Sequence, residues 1–169
     1  ELKPVHEEIS DLLADEEEDR FSCPKEIRKK AMDFLARREY GQAELAKKLA
    51  DKGYKRAIVE DELQRLTDEG LQSDTRFAES FVQSRINQGK GPVRIRADLR
   101  ERGLAGSAID LALEEADENW YALARDVRLK KFGPDAPSEF RDKAKQMRFL
   151  QYRGFEPEQI QAAMGGDNE

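Results

Sequence analysis

Residues 74–113, DTRFAESFVQSRINQGKGPVRIRADLRERGLAGSAIDLAL, hold the reading on which the fold turns. Phe77, Ala78, Phe81, Val82 and Ile86 recur at three- and four-residue intervals, which gathers them on one face of a first helix. Gly89 and Gly91 interrupt that pattern, because glycine supplies backbone angles that other residues avoid. Pro92 suits the first turn of a second helix, where its missing N–H is not needed. Ile95 and Leu99 form the apolar stripe of that helix, and Gly103 ends it. Ile109, Ala112, Leu113 and Ala116 make the stripe of a third. None of the three buries its face alone, so the spacing predicts one packed three-helix unit.

The same frame recurs on both sides. Leu49, Lys52, Gly53, Tyr54, Val59 and Leu63 lie 50 residues before Leu99, Arg102, Gly103, Leu104, Ile109 and Leu113. Leu150, Arg153, Gly154, Phe155, Ile160 and Met164 follow 51 residues later. A helix ending at glycine in a left-handed cap, an apolar residue folding back and a new helix explain all three copies. Ile27, Ala31, Phe34 and Leu35 open the first copy; Trp120, Leu123, Ala124 and Val127 open the third, which Phe140, Ala144 and Met147 continue. The expected fold is all-α, an elongated, curved array of three tandem three-helix repeats (helix-turn-helix-like units) at 25–70, 71–118 and 119–164. Residues 1–24 read as a mobile acidic arm, helical over about two turns through Val5, Ile9, Leu12 and Leu13, and residues 165–169 as a fraying tail. Charged residues make up 39% of the chain, against about 25% in a typical domain, which fits a body with much surface for its volume.

The net charge of −6 hides alternating bands. Residues 76–103 and 120–154 are basic, whereas 1–24, 104–119 and 155–169 are acidic. Such banding bears on partners more than the overall sign does. In the middle repeat Arg85, Lys90, Arg94, Arg96, Arg100 and Arg102 are candidates for contact with phosphates or acidic side chains. Asp98 and Glu101 interleave with them, and Arg85 and Arg102 also suit packing roles with buried stems. In the third repeat the candidates are Arg125, Arg128, Lys130, Lys131, Lys143, Lys145 and Arg148, mixed with seven of the chain's thirteen aromatic residues. Aromatic–basic mixing suits stacking on unpaired bases. Phe140, Phe149 and Phe155 nevertheless fall at core spacings, so the cations make the better contact surface. Gly89–Lys90–Gly91–Pro92 lacks the Gly-Lys-Ser/Thr ending and the preceding strand of a nucleotide loop, and reads as punctuation between helices.

One cysteine, Cys23, and one histidine, His6, exclude a disulfide within the chain and disfavour a Cys/His zinc site. With that single histidine near one end, no base for a nucleophile is in view. An enzyme is not expected, nor a catalytic residue, a cofactor or a metal. No apolar run approaches the ~20 residues of a membrane span, and the acidic start lacks the basic and apolar regions of a signal peptide. A soluble, cytoplasmic protein is the expectation.

Asp74, Arg76, Phe77, Ala78, Phe81, Arg85, Gly89, Gly91, Pro92, Ile95, Leu99, Arg102, Gly103 and Ile109 together resemble the best-defined motif of the RecX family, regulators of the RecA recombinase. The flanking copies resemble that family's weaker outer repeats, so the likeness spans roughly residues 25–164 and leaves residues 1–24 outside it. The resemblance implies a monomer that binds along the RecA–single-stranded DNA filament, in its helical groove. It implies lowered ATP hydrolysis, strand exchange and promotion of repressor self-cleavage, and so a place in DNA repair and the SOS response. The basic patches would meet recombinase, single-stranded DNA or duplex DNA. Two rivals come from other classes: a stand-alone helix-turn-helix DNA-binding module, and a passive helical adaptor that uses the acidic arm.

Overall fold

The computed structural model describes residues 4–165, which form ten α-helices and, among the described residues, no strand. The chain divides into two compact units, residues 1–74 and 75–169. The first holds α1 (Val5–Phe21), α2 (Pro24–Leu35), α3 (Gln42–Asp51) and α4 (Arg56–Asp68). The second holds α5 (Asp74–Asn87, all but its first residue), α6 (Pro92–Glu101), α7 (Gly106–Ala116), α8 (Trp120–Phe132), α9 (Phe140–Arg153) and α10 (Pro157–Ala163).

In the first unit α2, α3 and α4 close around Ile27, Leu45, Leu49, Val59, Leu63 and Leu66, all fully buried. The chain leaves this core through Gln72, a polar side chain that is itself buried. The Thr67 hydroxyl donates to Gln72 Oε1 at 2.6 Å, while Gln72 Nε2 donates to the Tyr40 carbonyl and to Asp74 Oδ1, each at 3.0 Å. Asp74 Oδ1 also accepts the Gln42 backbone N–H at 2.8 Å, one of the donors that the first turn of α3 leaves without a helical partner.

The arm departs from expectation. Instead of about two turns, α1 runs 17 residues, through and beyond the acidic stretch. Glutamate, alanine and leucine favour the helix, and its end is anchored. The Lys55 N–H donates to the Phe21 carbonyl at 3.0 Å, and the Phe21 ring meets Tyr54 edge-on with centroids 5.4 Å apart. Val5, Ile9, Leu12 and Leu13 are all exposed. Residues 166–169 of the expected tail lie outside the described residues.

Three glycines end their helices identically. Gly53, Gly103 and Gly154 have φ of +102°, +84° and +95°, the left-handed region in which a side chain is strained. The following N–H groups, of Tyr54, Leu104 and Phe155, reach back to the carbonyls of Leu49, Leu99 and Leu150 at 3.2–3.3 Å. The glycine N–H groups themselves reach Ala50, Arg100 and Gln151. This is the Schellman arrangement, and it turns Tyr54, Leu104 and Phe155 inward, where all three are buried.

In the second unit α5–α7 surround Phe77, Val82, Ile95, Leu99 and Ile109, and α8–α10 surround Ala124, Leu150, Phe155 and Ile160. Trp120 and Leu123, at the start of α8, pack against the α5–α7 core, so the two triplets share a wall. One expectation fails here. Phe140, read as a core position, is 87% exposed. It is the first residue of α9, and a helical side chain points back toward the N-terminus, past the end of its own packing surface. The inward face of α9 is carried by Leu150 and, unexpectedly, Gln146.

Candidate functional site

The α5–α6 loop and the end of α9 meet through backbone. The N–H of Gly91 donates to the Arg153 carbonyl at 2.8 Å and that of Val93 to the Gly154 carbonyl at 2.9 Å. Arg94 Nη1 reaches the Tyr152 carbonyl at 3.3 Å. The last carbonyls of α9 therefore cap the first amides of α6, whose N-cap, Gly91, has no side chain to do it. Opposite helix ends also bring opposite partial charges together. Arg153 returns the clasp, donating from Nη1 to the Gln88 carbonyl at 2.9 Å, near the end of α5. The glycines permit this approach. A Cβ on Gly91, whose φ of −84° is ordinary, would overlap the Gly154 carbonyl and lie 2.6 Å from the Phe155 nitrogen. A Cβ on Gly154 would lie 2.6 Å from the Arg94 nitrogen. The stretch read as punctuation is thus the joint between two repeats.

Cations gather at this joint. The Lys90 ammonium lies below the ordinary lysine range, first through burial and then through the nearby Arg94, Arg85 and Arg153 guanidiniums, with Asp98 opposing them. Arg85 and Arg102 both lie over the Phe81 ring, 4.1 and 4.6 Å from its centre. The buried Arg85 Nε has no hydrogen-bond partner in the structure. Arg96 is paired with Asp110 of α7. Arg100 is exposed. The structure therefore brings Arg85, Lys90 and Arg94 together, and commits Arg96 to a neighbour within its own repeat.

The third-repeat candidates separate. Arg128 is buried, contrary to its reading as a contact residue: its Nε donates to Gln146 Oε1 at 2.9 Å and its Nη2 to the Asp135 carbonyl at 2.8 Å. It ties α8, the 133–139 loop and α9 together from within, because a guanidinium satisfied on two sides is stable inside. Arg125, Lys130, Lys131, Lys143, Lys145 and Arg148 are exposed. Lys130 and Lys131 border a cleft of about 390 Å³ beside the joint, between α5, α8 and α9, whose lining includes Gly89, Val127, Phe149 and Arg153. Lys131 and Arg153 approach the Phe149 ring at 5.8 and 5.3 Å. Two members of this surface are absent from the sequence candidates. Arg153 was legible as a conserved place in the repeat frame but not as a clasp. Tyr152, 73% exposed with the Arg94 guanidinium 5.1 Å from its ring centre, was hidden by the expectation that aromatics lie inside.

Comparison with known proteins matches this architecture copy by copy. Residues 28–66, 73–113 and 117–164 match the family models described as the first, second and third three-helix domains of RecX. "Regulatory protein RecX" of Pseudomonas putida strain KT2440 is 47% identical over 146 residues, covering 86% of this chain and 94% of that one. The protein of the same description from Halorhodospira halophila is 46% identical over 143 residues, covering 85% and 89%. Among solved structures, a regulatory protein RecX superposes with a TM-score of 0.69 at 24% identity, over 98% of this chain and 80% of that one. RecX from Lactobacillus salivarius gives 0.67 at 21% identity, over 85% and 95%. These two share the fold. With three domain models in order and relatives at nearly half identity over most of the chain, the protein belongs to the RecX family of regulatory proteins.

Proposed function

We propose that this protein binds the RecA–single-stranded DNA filament in its helical groove and lowers its ATP hydrolysis, strand exchange and promotion of repressor self-cleavage. It acts in the cytoplasm as a monomer, without catalytic chemistry of its own. The observation that carries the reading is the joint between the second and third repeats, where Lys90, Arg85, Arg94 and Arg153 crowd beside a backbone clasp. Cations held at a rigid joint suit a repeating array of phosphates or carboxylates, since little side-chain freedom remains to be lost on binding. Membership of a family whose relatives are described as regulatory proteins supports this reading of the partner.

The rival helix-turn-helix reading is weakened by its own reading helices. The third helix of a triplet is the one that would enter a duplex groove. Yet α7 carries Asp110, Glu114 and Glu115 with no basic residue, and α10 carries Glu158 with none. Acidic helices repel a phosphate-lined groove.

Titrating the protein into RecA filaments and following ATP turnover tests the proposal, with a graded fall to a plateau expected. Unchanged turnover at saturating protein would remove it. Reversing Lys90 and Arg100 to glutamate is expected to weaken the effect about tenfold or more and to make the residual binding less sensitive to salt.

A further inference from the structure

The outward face of α9 sets two of the sequence candidates, Lys145 and Arg148, in a pattern that lies outside the joint. Arg141, Lys145, Arg148 and Tyr152 follow one another at intervals of four, three and four residues. At about 100° per residue they fall within one narrow stripe some 16 Å long. All four are exposed. The stripe is opposite Gln146 and Leu150, which face the interior. Asp142, the one carboxylate within this length of the helix, lies on a different flank, so like charges line the stripe without interruption. It ends at Tyr152, which is 73% exposed and whose ring centre lies 5.1 Å from the Arg94 guanidinium of the neighbouring repeat. Arg94 is itself held to the Tyr152 carbonyl, so ring and guanidinium keep their register.

Three cations in a row followed by an exposed ring with a guanidinium beside it combine two requirements. Phosphates repeat along a strand and need a charged track; an unpaired base needs a flat face. A duplex keeps its bases stacked inside and has no use for the ring, and an acidic polypeptide has no use for it either. We propose that this face of α9 binds a single strand of nucleic acid, with Arg141, Lys145 and Arg148 along its phosphates and one base stacked on Tyr152. This track rests on the filament reading for its setting but not for its test, which contains no recombinase.

The test is the full chain titrated into a labelled oligothymidine of about 20 nucleotides, long enough to exceed a single stacking site. Wild-type protein is expected to bind it more tightly than a duplex of equal length, and polyglutamate is expected to compete poorly. Tyr152→Ala should weaken binding about tenfold, while Tyr152→Phe, which keeps the ring and loses the hydroxyl, should stay within about twofold. Replacing Arg141, Lys145 and Arg148 together by glutamine should flatten the slope of log affinity against log salt by about 2. Because these side chains are exposed, thermal unfolding of each variant should match wild type, which separates lost contact from lost fold. Equal affinity of wild type and Tyr152→Ala would overturn the track. So would competition by polyglutamate equal to that of unlabelled oligothymidine, which would assign the face to an acidic protein surface. A null result in RecA ATP turnover leaves these outcomes standing, and their failure leaves that assay standing.

Discussion

Arg128 and Lys90 show how little a residue's type says about its use. Both stand in basic stretches, but Arg128 is buried and bonded on two sides, whereas Lys90 is crowded by its own kind. Replacing Arg128 by alanine removes both bonds and leaves Gln146 unsatisfied in the interior, so a loss of about 3 kcal/mol is expected in urea unfolding. Replacing the pair together, Arg128→Met with Gln146→Leu, should recover much of it, because Gln146 is no longer stranded and only the carbonyl of Asp135, an exposed loop residue, loses its donor. For Lys90 the sign follows from its lowered folded pKa. Below that value both states hold the proton, and the folded state bears the penalty of burial and of the neighbouring guanidiniums. As pH rises through the folded pKa toward the ordinary lysine range, the folded state releases its proton first and the penalty is relieved. Stability should therefore gain a rising component in that alkaline window, measurable as melting temperature against pH, and Lys90→Gln should abolish that component.

At the scale of elements, the glycines divide by what surrounds them. Gly91 and Gly154 stand where one backbone presses on another, while Gly70 has φ of +77° but open space around it. Gly70→Ala should lose only about 1 kcal/mol, the strain of its dihedral. Gly91→Ala and Gly154→Ala should each lose about 3 kcal/mol or more, because the atoms in the way are main chain and cannot rotate aside. Since each change opens the same joint, the double variant should lose clearly less than the sum, as denaturant midpoints would reveal. Gly91 stands at the break that the sequence predicts, as the N-cap of α6, and its missing side chain matters as well for what passes beside it.

For the molecule as a whole, the consequence is that the second and third repeats behave as one body. The N–H groups of Gly91 and Val93 sit in a loop and at a helix start, positions that ordinarily exchange quickly with solvent, yet each donates to α9. Their exchange should be as slow, within about tenfold, as that of core amides in α9, because releasing them requires the whole joint to open. Gly154→Ala should accelerate both by about 100-fold. Fast exchange of Gly91 and Val93 in the unaltered protein would mean that the repeats open independently, and the rigid cationic joint would lose its basis.

Helix count, stop positions and the threefold repeat were determined by the sequence itself, because helical periodicity and glycine caps are local: the six-residue frame around Gly53, Gly103 and Gly154 reads the same before and after folding. The acidic arm escaped that reading, since its length depends on an anchor at Phe21 supplied by Tyr54 and Lys55, more than thirty residues away. Phe140 escaped it because periodicity does not say where a neighbouring helix stops. Beyond the packing roles that Arg85 and Arg102 already suited, the sorting of the cations belonged to tertiary structure. Arg128 inside, Arg96 paired, Arg94 and Arg153 clasping and Arg148 facing solvent all carry the same charge in helical stretches, and only the neighbours brought by packing decide which charge is compensated and which is left to meet a partner.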